Sequence, residues 1–121
     1  MSKETFSFPD SLRLKTPTDF QQVFARPVKS TDRYFTLLAI KNELEHPRLG
    51  LAIAKKNIKR AVDRNKVKRV SRESFRLQQH NLITLDIVVL ARRDAANAST
   101  AVLAKSLAKH WLKLEKQCAS S

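Results

Sequence analysis

From Lys59 to Gln79 the chain contains neither glycine nor proline, and short apolar runs flank this stretch, RLGLAIAK at residues 48–55 and LDIVVLAR at residues 85–92. A long helix between two strands is the feature that most limits the possible folds, because one helix face must then lie on the sheet those strands build. At 100° per residue, Val67, Val70, Ser74 and Leu77 gather on one narrow face, which the spacing assigns to the sheet. Opposite them Arg64, Lys68 and Arg72 form an i, i+4, i+8 row, with Asn65, Arg69 and Arg76 alongside. Asp63 and Glu73 fall toward the apolar side, and Phe75 falls near the basic side, outside the simple stripe. Like charges at this spacing destabilise a helix by about 0.2–0.5 kcal/mol per pair unless a partner neutralises them.

The other elements follow from caps and periodicity. In TPTDFQQVF, Thr16 reads as an N-cap, Pro17 as the first helical residue and Asp19 as an acid at the positive helix end, with Phe20, Val23 and Phe24 on one face and Pro27 beyond. YFTLLAIK, residues 34–41, and the run at 48–55 read as strands, and a hairpin through NELEHP is the economical connection. Gly50 is the only glycine; inside a strand it marks a bulge or a close approach and is read as structural. Leu103, Leu107, Trp111 and Leu114 give an amphipathic C-terminal helix from about Ser99 to Gln117, its apolar stripe assigned to the core.

Charge decides the class of partner. The chain has 24 Lys and Arg against 11 Asp and Glu, a net +13, and residues 55–76 hold ten of those bases and only two acids. A 121-residue domain so charged repels itself unless a polyanion neutralises it, which points to nucleic acid first and an anionic membrane surface second. Guanidinium groups and an amide on a rigid helix suit phosphate and base-edge contacts. Phe20, Val23, Phe24, Tyr34 and Phe35 are open to two readings, core packing or, for the rings, base stacking. His46, His80 and His110 are scattered without motif partners, and Cys118 has none for a disulfide. Paired carboxylates, a nucleophile arrangement, a Gly-rich phosphate loop and metal-ligand spacing are all missing, so the sequence offers no protein-borne catalytic residues and no metal ligands. With no signal-like apolar run and no membrane-length segment, a cytoplasmic protein without membrane attachment is expected.

The stretch RLGLAIAKKNIKRAVDRNKVKRVSRESFR closely resembles the signature of the bacterial ribonuclease P protein subunit. It joins an R-L-G-L strand and an A-K-K strand end to a helix carrying R-N-x-x-K-R-x-x-R-E, here Arg64, Asn65, Lys68, Arg69, Arg72 and Glu73. LKTPTDFQQVF, DIVVLAR and the C-terminal helix match the family in order and spacing. One position departs: where the family commonly has Arg, this chain has Lys66, which keeps the charge and loses the bidentate geometry.

The resemblance implies a single domain over residues 1–121, loosely held at 1–12 and 118–121, with an α/β (α+β) sandwich fold. Its small, mainly antiparallel sheet would carry three helices and a left-handed βαβ crossover, against the usual hand. It implies removal of the 5′ leader from precursor tRNA, with catalysis by an RNA subunit and its bound Mg²⁺ and no obligatory protein partner. Arg64, Asn65, Lys66, Lys68, Arg69 and Arg72 would dock on the catalytic RNA; Phe20, Phe24, Phe35, Lys55, Lys56 and Arg60 would hold the leader. Two other readings of the basic helix remain: a ribosomal or ribosome-assembly protein, and a helix-turn-helix DNA binder, disfavoured because no short helix sits one tight turn before it.

Overall fold

Helix α1 (Pro17–Ala25) starts as its sequence dictates: the Asp19 amide donates to the Thr16 hydroxyl at 3.1 Å and the Thr16 amide donates back to the Asp19 carboxylate at 3.4 Å. The computed structural model describes residues 12–79, 82 and 84–119. After α1 come β1 (Val28–Thr31), β2 (Phe35–Lys41), β3 (Arg48–Ala52), α2 (Ala61–Gln78), β4 (Leu85–Ala91), a short 3₁₀ helix (Arg93–Asn97) and α3 (Thr100–Ala119). Most of the chain ends expected to be loose, and His80, lie outside the described residues. Leu12 and Cys118, at the inner limits of those ends, are buried in the main core.

The sheet order is β1-β2-β4-β3, with β1/β2 and β2/β4 antiparallel and β3/β4 parallel. The hairpin expected between β2 and β3 does not form, because β4 lies between them. Its composition explains this: apart from Asp86, LDIVVLA is apolar on both faces, and it is buried at every position but Leu90, so it takes the centre. β3, shorter and carrying Arg48, takes the edge. Helix α2 thereby becomes the crossover between two adjacent parallel strands. Three helices on a four-stranded mixed sheet make this an α+β fold.

Strand alternation divides the core. One sheet face presents Phe35, Leu37, Ala39, Leu49, Ile87 and Val89 to α2 and α3; the other presents Leu38 and Val88 to Leu14 and Val23, with Phe20 packed against them. Helix α2 is turned relative to the expected stripe. Val67, Ser71 and Phe75 are its buried residues, whereas Leu77 is 64% exposed. The cause is α3: Phe75 meets Trp111 edge-on with centroids 6.0 Å apart, and Trp111 Nε1 donates to Ser74 Oγ at 2.7 Å, so α2 must satisfy a helix as well as a sheet.

A polar knot ties α3 to the start of the sheet. His110 is buried, with Nδ1 2.6 Å from Ser30 Oγ and Nε2 3.2 Å from Asp32 Oδ2, the latter a close approach without hydrogen-bond alignment. Asp32 also accepts from the Ser106 hydroxyl and from the amides of Tyr34 and Phe35 at 2.8 and 2.9 Å. Partial burial works against the Asp32 carboxylate, but Ser106, the two amides and His110 outweigh it and bring its pKa down to about 2. Burial pushes His110 below its ordinary value, partly offset by Asp32, so the imidazole is neutral at pH 7. Both groups release protons more readily folded than unfolded, so both make the fold weaker in acid. The Asp32 contribution is fully present above about pH 4 and is lost as pH falls toward 2. Asp32→Asn should therefore cost about 1–2 kcal/mol at pH 7, allowing for solvent screening, and flatten the loss of stability between pH 4 and 2. Urea unfolding followed by circular dichroism across that range checks both outcomes.

Candidate nucleic-acid interface

Because Val67, Ser71 and Phe75 face inward, Asn65, Arg69 and Arg72 of α2 point outward and are exposed. Three neighbouring cations are partly committed within the chain. Arg64 donates to the carbonyls of Ile58 and Lys59 at 2.9 and 2.8 Å, closing the loop that leads into the helix. Lys66 donates to the carbonyls of Ala96 and Ala98 at 3.1 and 2.8 Å, fastening α2 to the end of the 3₁₀ helix. Arg76 pairs with Glu73, which lies on the exposed side of α2 and not toward the apolar side. Lys68 is half-buried on the flank.

The second surface is the sheet face under α1. Gly50 lies in the row Lys29, Leu38, Val88, Gly50 across the four strands, and the Phe20 ring sits directly on it. A Cβ at Gly50 would stand 2.7 Å from Phe20 Cε1 and Cζ, so the glycine is needed for space; its φ is not positive. Phe20 is thus half-buried, while Phe24, one turn on, is 46% exposed and is the more accessible ring. Phe35 does not join them. It is fully buried on the opposite face, edge-on to His110 at 6.4 Å, because it has the odd parity in β2 whereas Leu38 and Ile40 face α1.

Lys55, Lys56 and Arg60 are exposed in the turn that follows β3 and the approach to α2. Since β3 and β4 are parallel, this turn emerges at the same sheet end as Arg92 and Arg93. There Arg33, Asn57, Arg92, Arg93 and Asp94 line a polar cleft of about 470 Å³. Asp94 neutralises Arg33 at 2.8 Å, and Arg92 Nη1 donates to the Asp32 carbonyl at 3.1 Å. Sequence reading missed this cluster; the signal was the RR pair closing the last strand.

Arg13, also missed, lines a smaller cavity of about 180 Å³ with Leu14, Phe20, Leu49, Gly50, Leu51 and Arg72. Partial burial and the charge of Arg13 push the Arg72 guanidinium below its ordinary pKa, which marks two like charges held close together. The arginine face of α2 and the ring-bearing face under α1 therefore meet at Arg72.

A strongly cationic helix that meets, at Arg72, a sheet face bearing one exposed ring, Phe24, has the surface chemistry of an RNA-binding protein. Residues 8–115 match the Ribonuclease P family. The chain is 50% identical to the ribonuclease P protein component of Methylococcus capsulatus over 116 residues, covering 96% of this chain and 91% of that protein. It superposes on the Staphylococcus aureus RNase P protein with a TM-score of 0.78 at 36% identity, covering 87% of this chain and 95% of that one. For the Thermotoga maritima RNase P protein the TM-score is 0.73 at 28% identity, with 86% and 96% covered. The chain belongs to the ribonuclease P protein family, the protein component of an RNA-based endoribonuclease that acts with an RNA subunit in tRNA 5′ processing. The ribosomal and helix-turn-helix readings fall away with this membership.

The Gly50 contact generates a specific expectation. Gly50→Ala should displace the Phe20 ring and lower stability by about 1–3 kcal/mol, the usual consequence of overpacking. Gly50→Ala combined with Phe20→Leu should recover much of that loss, measured by urea unfolding; an unrelieved double variant would show that the added methyl clashes elsewhere.

Proposed function

We propose that the protein works through two joined surfaces, the outward face of α2 docking on the catalytic RNA and the sheet face under α1 holding the single-stranded 5′ leader of precursor tRNA. The observation that carries this reading is the segregation of chemistry. Asn65, Arg69 and Arg72 lie on a rigid helix suited to a folded RNA's phosphates, whereas exposed Phe24 and half-buried Phe20 accompany the cations of the leader side. A leader of variable sequence is best held by backbone charge and ring stacking, neither of which depends on base identity. Lys55, Lys56 and Arg60 serve the leader, extended by Arg92 and Arg93 at the same sheet end; Arg13 and Arg72 stand where the two RNAs converge. Arg64, Lys66 and Lys68 contribute field to the docking face, Arg64 and Lys66 also shaping the backbone that presents it. Phe35 takes no part in either surface: it is core, packed against His110 of α3.

Cleavage chemistry belongs to the RNA. Mg²⁺ held by the catalytic RNA and substrate would activate water and neutralise charge at the scissile phosphate. Two of the described acids are already committed within the fold: buried Asp86 is bonded by Arg48 and Asn42, and Asp32 by Ser106 and the amides of Tyr34 and Phe35. The protein's part is to place precursor against RNA and to lower the ionic demand of that complex, in the cytoplasm and as one domain.

The purified chain should cleave no precursor alone, yet strongly accelerate cleavage by the cognate RNA at low Mg²⁺. Arg69→Ala should weaken assembly with that RNA and reduce the slope of log K against log salt by about one. Phe24→Ala should leave assembly intact and reduce the preference for leader-bearing over mature tRNA by about 1–3 kcal/mol, the worth of one stacked base. Filter binding at several salt concentrations measures both; a fall in assembly with Phe24→Ala would refute the division of the two surfaces.

A further inference from the structure

We infer that Arg48 is a positioning residue for the leader, acting through Asp19 to hold α1 at its working distance from the sheet; the inference rests on the leader reading proposed above. Asp86 is a carboxylate on the α1 side of the central strand, only 2% exposed. Arg48 donates to it twice, from Nε to Oδ1 at 3.0 Å and from Nη2 to Oδ2 at 2.7 Å, and Asn42 Nδ2 adds a bond to Oδ1 at 2.7 Å. The fork is thereby fixed on β4. Its remaining arm, Nη1, lies 3.7 Å from Asp19 Oδ2, and Asp19 belongs to the reciprocal cap that starts α1.

Helix α1 has nine residues, too few to hold a direction without tertiary anchors. Val23 is its only fully buried side chain, and Phe20 rests on the surface of Gly50. The ionic arm of Arg48 is the third anchor and meets the first turn of the helix, next to Phe20. Loosening it frees the helix end from the sheet while the Arg48–Asp86 pair stays intact. Phe20 and Phe24 would then lose their fixed spacing from the sheet, and a stacked strand would lose its platform.

Two substitutions cut that arm, Asp19→Asn alone and Arg48→Lys together with the bidentate bond to Asp86. Asp19→Asn keeps side-chain size and a capping group but removes the charge that Arg48 faces. Arg48→Lys keeps a cation beside Asp86 but cannot span both carboxylates. Simple charge effects run the other way: removing an acid beside a polyanion's path should tighten leader binding, and Arg48→Lys should leave it unchanged. The experiment measures the affinity of the assembled holoenzyme for leader-bearing and for mature tRNA, together with catalytic-RNA affinity and the melting temperature. Positioning predicts a three- to tenfold loss of leader preference in each variant with catalytic-RNA affinity unchanged, and no further loss in the double variant, since both cut one linkage. An unchanged or strengthened leader preference in Asp19→Asn overturns the inference, as does a loss that simply tracks melting temperature and catalytic-RNA affinity. Phe24→Ala run alongside separates the two levels: if it too leaves leader preference intact, the leader reading itself fails. If Phe24→Ala lowers the preference and Asp19→Asn does not, only the role of Arg48 is rejected.

Discussion

The insertion of β4 between β2 and β3 is the constraint on which everything else rests. A strand buried on both faces cannot sit at an edge without exposing one of them, so LDIVVLA takes the centre and pairs antiparallel on one side and parallel on the other. Parallel pairing forbids a short return from β3. The chain must cross the sheet, and the only segment available is the basic helix. The electrostatic surface is thus a by-product of topology: whichever face of α2 the sheet does not need is offered to solvent.

The same insertion creates the cationic end. Strands β3 and β4 finish side by side, so the KK turn and the RR pair, far apart in sequence, become neighbours around Asn57, whose amide reaches the Ala91 carbonyl at 3.4 Å. On the opposite flank Arg72 and Arg13 are held close although each raises the electrostatic cost of the other. An anion placed between them would relieve that cost.

Much of this was legible in the sequence, for identifiable reasons. The Thr16, Pro17, Asp19 start of α1 and the apolar stripe of α3 are local patterns, and local patterns survive folding. The absence of glycine and proline from Lys59 to Gln79 located the basic helix. Strand order was not legible, because a hairpin through NELEHP is as acceptable locally as the crossover, and only the two-sided burial of β4 decides between them. The rotation of α2 could not be read from α2 alone, since Phe75 turns inward to meet Trp111, 36 residues away. The resemblance put Phe35 on the leader face, but parity along β2 decides its side: one residue along a strand is the other side of the sheet, and Phe35 is core. β1 was missed because VKST has no apolar alternation and is held by pairing with β2 and by the Ser30–His110 bond.

Among the described residues both margins of the sheet are blunted. β1 is four residues long and carries an outward Lys29, while the outer side of β3 is met by the chain at Arg13 and Leu14, whose amide donates to the Leu49 carbonyl at 3.0 Å. An unpaired margin on a half-apolar sheet invites a second copy to extend it, and extended copies precipitate. Here self-association by that route is blunted at each side. Pairing of one copy with another along the sheet is thus opposed by the shortest strand on one side and by Arg13 and Leu14 on the other.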